Sequence, residues 1–206
     1  MASSTEIANR ALSKLGERRI LDITDDSKPA RAMNSRYETM RDAVLYEHPW
    51  RFAVERATLA ALTSAPDWGY SLEYQLPTDA LRLLAVGEAC IDYRAYGVMF
   101  RVSNAGGSSE PYKVIGGTIQ TDLSAPLKIE YIKRVTDAGS FDTQFAEALA
   151  CRIAFDAAEE LTQSNSKKEA AWAEYKDAIS TGKRLNSIMN PPRIRGSGGW
   201  TQARVW

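Results

Sequence analysis

The stretch Asp142-Thr-Gln-Phe-Ala-Glu-Ala-Leu-Ala-Cys-Arg-Ile-Ala-Phe-Asp-Ala-Ala-Glu-Glu-Leu-Thr-Gln163 decides the fold class. Ala150, Cys151, Ile153, Ala154, Phe155, Ala157, Ala158 and Leu161 spread over more than half of a helical circumference. A helix apolar over so wide an arc is packed on several sides, and its alanines let neighbouring backbones come close. This segment therefore predicts the centre of a helical body. Ser164-Asn165-Ser166 breaks it. A second helix follows, with Trp172, Tyr175, Ile179, Leu185 and Met189 on roughly one side, until Pro191-Pro192 stops it. So short a connection makes the two helices antiparallel neighbours.

The N-terminal segment supplies two more helices. Ser3 and Glu6 have capping-box spacing ahead of Ile7, Ala8, Ala11, Leu12 and Leu15, and Gly16 is a natural stop. Pro29 suits the first turn of the next helix. There Ala30, Met33, Tyr37, Met40 and Val44 recur at spacings of three and four. His48-Pro49 ends it, because the residue before proline is pushed out of the helical region. Arg31, Arg36 and Arg41 step by five and so spread around this helix, which predicts a solvated surface.

Between the helical segments the period changes to two. Tyr70, Leu72, Tyr74 and Leu76 alternate with other residues, as do Val98, Phe100 and Val102, and Leu127, Ile129 and Tyr131. Such alternation marks half-buried strands. Gly116-Gly117, between Tyr112–Ile115 and Thr118–Thr121, is a two-residue hairpin turn. Asn104 to Ser109 reads as a polar glycine loop. The expected fold is α+β: a mainly α-helical bundle with an inserted small antiparallel β lobe of about five to seven strands and an extended C-terminal tail. The expected units are 1–50 and 137–189 for the helical body, 51–136 for the β lobe and 190–206 for the tail.

Composition narrows the function classes. Lys+Arg and Asp+Glu are both 26, so the chain lacks the basic excess of a free-standing DNA binder. The basic charge is local: Lys183 to Trp206 carries five basic residues and no acidic one. The opening Met1-Ala-Ser-Ser-Thr-Glu has neither a charged leader nor an apolar run, so no signal peptide is expected. No stretch approaches the ~20 apolar residues of a membrane span. Cys90 and Cys151 lie outside any CxxC pattern and read as two reduced thiols of a protein made in a cytoplasm.

The lone histidine, His48, stands at a helix end before proline and reads as a termination residue, not as part of a triad or metal site. No phosphate-binding glycine loop or nucleophile elbow occurs, and Gly106-Gly107 and Gly116-Gly117 are hairpin material. A glycan cleft built on paired carboxylates would use Asp67 and Glu73 first. Their plainer reading is a turn residue and a solvent-facing strand position. No catalytic residue, cofactor or metal is expected.

Four segments in order carry a resemblance: Ile7-Ala-Asn-Arg-Ala-Leu-Ser-Lys-Leu-Gly16; Tyr46-Glu-His-Pro-Trp-Arg-Phe-Ala53; Tyr74-Gln-Leu-Pro-Thr-Asp-Ala-Leu-Arg-Leu-Leu84; and Leu127-Lys-Ile-Glu-Tyr-Ile-Lys-Arg-Val135, followed by Phe141-Asp-Thr-Gln-Phe-Ala-Glu-Ala-Leu-Ala150. Over residues 3 to 190 the chain resembles the head-to-tail adaptors of tailed bacteriophages, also called tail tubular protein A. The resemblance implies a non-enzymatic virion subunit at the head–tail interface, made in the bacterial host cytoplasm. It implies a homo-oligomeric ring, of about twelve copies, closed by rotation under the portal protein. Viral double-stranded DNA would pass through the lumen, and a tail nozzle or next connector would bind the distal face. It gives the C-terminal segment a task as the portal contact, through Arg193, Arg195, Trp200, Arg204 and Trp206. Arginine and tryptophan are also the residue types of binding hot spots. The alternative is a virion-associated peptidoglycan hydrolase using Asp67 and Glu73.

Overall fold

The computed structural model describes residues 3–87 and 112–189. The alternation at Val98, Phe100 and Val102, the loop Asn104–Ser109, Cys90, the Pro191-Pro192 stop and the five tail residues Arg193, Arg195, Trp200, Arg204 and Trp206 lie outside them.

The described chain is an α+β structure with four helices and two three-stranded antiparallel sheets. Helix α1 (Ser4–Leu15) starts where the Ser3 hydroxyl accepts from the Glu6 N–H, and ends at Gly16, whose φ of 70° is left-handed. Helix α2 (Lys28–Glu47) starts at Ser27, which accepts from the Ala30 N–H, and ends at His48. Its Ala30, Met33, Tyr37 and Val44 are buried along one face as the spacing predicts, and Met40 is half-buried.

Helix α3 (Thr143–Thr162) packs against α1, α2 and α4 (Asn165–Met189) and buries ten of its residues, six of them alanine. The break with α4 falls at Gln163, which takes the left-handed conformation (φ 49°), so Asn165 already belongs to α4. Burying each of Ile7, Leu12, Leu149 and Ile153 contributes about 2 kcal/mol. The stripe of α4 differs from the expected one. Ala171, Tyr175, Ile179 and Gly182 are buried, whereas Met189 is exposed and Leu185 half-buried. In its last turn Ile188 and Met189 are exposed, whereas Asn186 reaches back to the end of α2.

The solvated surface expected for the α2 arginines is corrected. Arg41 is 5% exposed and pairs with Asp42 (2.9 Å). Arg36 bridges to Asp156 (2.9 Å) and Glu160 (2.6 Å) of α3. Arg31 alone is well exposed, and it pairs with Asp26. A step of five turns successive arginines toward different neighbours, and two of those neighbours are protein.

The expected single sheet is two. The first has order β1–β6–β3, from Val54–Leu59, Leu127–Lys133 and Ala80–Val86. The second has order β2–β5–β4, from Leu72–Gln75, Thr118–Thr121 and Tyr112–Ile115. Gly116 and Gly117 (φ 58° and 85°) make the β4–β5 turn as expected, both in the region that favours glycine. Strand β6 serves two cores. Leu127, Ile129 and Tyr131 on one face pack with Tyr74 and Ile119 of the second sheet. Ile132 on the other face joins Leu84 and Trp50 in the helical core. The first sheet thus attaches to the helices through Ile132 of β6 and Leu84 of β3, with Val54 of β1 packed beside them.

Candidate partner-binding cleft

The turn after α2 fixes the geometry of the site. Pro49 ends the helix, and Trp50 then swings into the core, 1% exposed, its Nε1–H donating to the Val44 carbonyl (3.0 Å). It meets Phe145 edge-on, with ring centroids 5.3 Å apart. Asn186 of α4 clamps the same turn from outside. Its Nδ2 lies 2.9 Å from His48 Nε2 and donates to the Pro49 carbonyl (3.0 Å), while its Oδ1 accepts from the Arg51 N–H (3.1 Å). The end of α2 is thereby held against the C-terminal end of α4.

Beside this clamp α2, α3 and α4 form an open cleft of about 360 Å³. Arg152 of α3 is at its centre. The guanidinium carbon lies 5.4 Å from the ring centroids of both Trp172 and Tyr175 and 5.7 Å from that of Phe155. Such contacts are worth about 1 kcal/mol each at partly exposed sites. Trp172 and Tyr175 are three residues apart on α4, so their rings share a face and stack, with centroids 5.4 Å apart. Tyr46, 54% exposed, lines the cleft from α2 and carries Arg82 of β3 over its ring (5.4 Å). Trp172 is 37% exposed.

One carboxylate enters the cleft. Glu47 accepts from the Tyr175 hydroxyl and from Lys183 Nζ (2.9 Å). Burial opposes its charge, but these two hydrogen bonds and the nearby Lys183 and Arg152 outweigh burial and hold its pKa below the ordinary value. Burial first, and then the bond to Glu47, pushes the Tyr175 phenol up. Arg152 and Lys176 line the cleft with Glu47 as the one acid among the lining residues, so it is net positive as well as aromatic. Its aromatic and cationic lining suits an acidic or apolar protein segment.

The other candidates are placed apart from it. Asp67 is on an exposed connection between β1 and β2. Glu73, in β2, accepts from the Thr118 hydroxyl (2.6 Å) and from Gln120 Nε2 (3.4 Å), so it is engaged within its own sheet. His48 is the cap of α2, edge-on to Trp50 (5.2 Å). Cys151 is a free, buried thiol, and burial pushes it up to about 11. No group of three or more metal-ligating side chains occurs among the described residues, and no described helix is long and apolar enough to cross a membrane.

Sequence reasoning did not find this cleft. Trp172 and Tyr175 were legible as a pair on one helical face. Arg152, Tyr46 and Glu47 come from two other helices, and no local spacing joins them. Comparisons of the chain with models of known families and with curated proteins find no match.

Proposed function

We propose that the protein is a structural ring subunit, a head-to-tail adaptor of a tailed bacteriophage, and not an enzyme. The carrying observation is the cleft. Arg152, Trp172 and Tyr46 are held half-exposed on a helical body, and arginine, tryptophan and tyrosine are the residue types in which binding hot spots are enriched. The α+β order, helical body with inserted β strands, also agrees with what the adaptor resemblance implies.

In this reading copies close into a ring under the portal, viral DNA passes through the lumen without sequence-specific binding, and a tail nozzle or next connector takes the distal face. Residues 190–206, through Arg193, Arg195, Trp200, Arg204 and Trp206, contact the portal. The protein works in the virion after synthesis in the host cytoplasm.

The test is the mass of the complex formed with portal rings of the same phage, by light scattering after size exclusion. A gain of about one copy per portal subunit supports the reading, as closed symmetry requires. Folded protein that adds no mass overturns it. Removing residues 190–206 abolishes the gain if the tail is the portal contact, while the helical circular dichroism is kept.

A further inference from the structure

The connection between α1 and α2 presents a leucine to solvent. Leu21 is 95% exposed, yet both sides of it are tied down. On one side Asn9, itself buried, donates from Nδ2 to the Ile20 carbonyl (2.9 Å) and accepts from the Ile20 N–H at Oδ1 (2.8 Å), and the Ile20 side chain is buried. On the other, Asp25 Oδ2 accepts from the N–H groups of Leu21 (3.1 Å) and Asp22 (3.0 Å). Asp22 Oδ1 accepts from the N–H (2.8 Å) and hydroxyl (2.6 Å) of Thr24. The Ile23 N–H donates to Thr5 (3.3 Å). The loop is bonded to itself and to α1 and holds out an apolar side chain beside Asp22, Asp25 and Asp26; Glu17 adds a fourth acid, Arg18 and Arg19 offset two of the four, and Asp26 pairs with Arg31, so the connection stays net acidic.

We propose that this acidic loop is the knob for which the α2–α3–α4 cleft of a second copy is the socket. The proposal rests on the ring reading and names the contact that would close the ring. Leu21 offers apolar surface to Tyr46 and Trp172, and the aspartates of the loop face Arg152 and Lys176, so apolar surface and charge both match. One copy cannot join the two patches. The loop precedes the N-cap of α2 at Ser27 and the cleft begins at Ala43, which puts about 24 Å of helix between them. Two unlike patches on opposite ends of one helix make a head-to-tail contact, the kind that generates rings.

Cysteine cross-linking tests it on the full chain. The variants Leu21→Cys and Lys176→Cys are treated with a short thiol cross-linker, separately, mixed, and combined in one chain, alone and on portal rings. The expected result is dimer only in the mixture and a ladder of multimers from the combined variant. In parallel, Leu21→Ala should raise the concentration for half-assembly about tenfold, which is about 1.4 kcal/mol. Because the side chain is exposed, the monomer's unfolding midpoint should not move. Assembly that proceeds by light scattering without the cross-link, and with Leu21→Ala like wild type, overturns this contact and leaves the ring standing. Lys176→Cys that cross-links to the portal, or within its own chain to Arg195→Cys, gives the cleft another occupant and also overturns it. No assembly under any condition overturns both the contact and the ring.

Discussion

Gly182 of α4 lies directly against the indole of Trp50: a Cβ on Gly182 would stand 2.7 Å from Cη2 and 3.0 Å from Cζ3. The indole is walled in by Phe145 and held by its bond to Val44, so it cannot give way as the end of a flexible chain could. The pair sets how closely the end of α2 approaches α4, and hence the width of the cleft beside it.

Gly182→Ala should therefore destabilise the protein, although alanine is the better helix former by about 1 kcal/mol. Overpacking a close-packed core costs about 1–3 kcal/mol, and the rigid ring places this site at the upper end. Urea unfolding measures it. In a Trp50→Phe background the smaller ring makes room, and the double-mutant cycle should show a coupling of about 1 kcal/mol or more.

Asp42 joins the buried Arg41 (2.9 Å) to Arg134 (2.9 Å), just beyond β6. Asp42→Ala leaves the Arg41 guanidinium buried without its carboxylate, a change that costs about 3 kcal/mol. Arg41→Met, which removes the charge with its partner still half-exposed, should cost clearly less. Denaturant midpoints of the two variants decide between them.

Glu47, through its hydrogen bonds, and Tyr175, through burial first and then its bond to Glu47, make stability fall at both ends of the pH range. Glu47 is depressed in the fold, so its contribution is present above the ordinary carboxylate value of 4.5 and is lost as pH falls through its lower folded value. Tyr175 is raised, so its contribution is present below the ordinary 10.0 and is lost as pH rises above that value. Glu47→Gln should flatten part of the acid limb and Tyr175→Phe part of the alkaline limb. Unfolding midpoints from pH 3 to 11 read both, and limbs identical to wild type would remove the pair as their source.

Cys151 is 1% exposed and its thiol is pushed up to about 11, first by burial. In a Cys90→Ser variant, which leaves one thiol to follow, alkylation at pH 8 should run at least about a hundredfold slower in the native protein than in urea. Equal rates would mean that α3 opens freely.

Much of this architecture was written locally. The spacing of Ala30, Met33, Tyr37 and Val44 places one face of α2 in the core, Gly16 and Ser3 bound α1, and Gly116-Gly117 turns the β4–β5 hairpin. These features depend on residues a few positions apart, whose relative directions the helix or strand period sets before any tertiary contact forms. The alternation in β6 likewise marked Leu127, Ile129 and Tyr131 as inward-facing, though not which core they enter.

Partners distant along the chain were settled only by docking. Gly182 has no side chain to register in a hydrophobic pattern, yet it is where Trp50 makes its closest approach. Arg41 is of a residue type usual on surfaces, yet it is buried with Asp42 beside it, and Asp42 in turn pairs with Arg134 just beyond β6. Asn9 looks like a polar interruption of α1, and it is the clamp that holds Ile20 and so presents Leu21. Arg152, Trp172 and Glu47 belong to three helices and become one site only when those helices pack. Periodicity, a property of one segment, encoded the helices and the buried faces of α1 and α2, but not where the stripe of α4 ends. The cleft, the knob and the two-sheet topology were decided by tertiary structure, because each depends on distances between segments that no local spacing encodes.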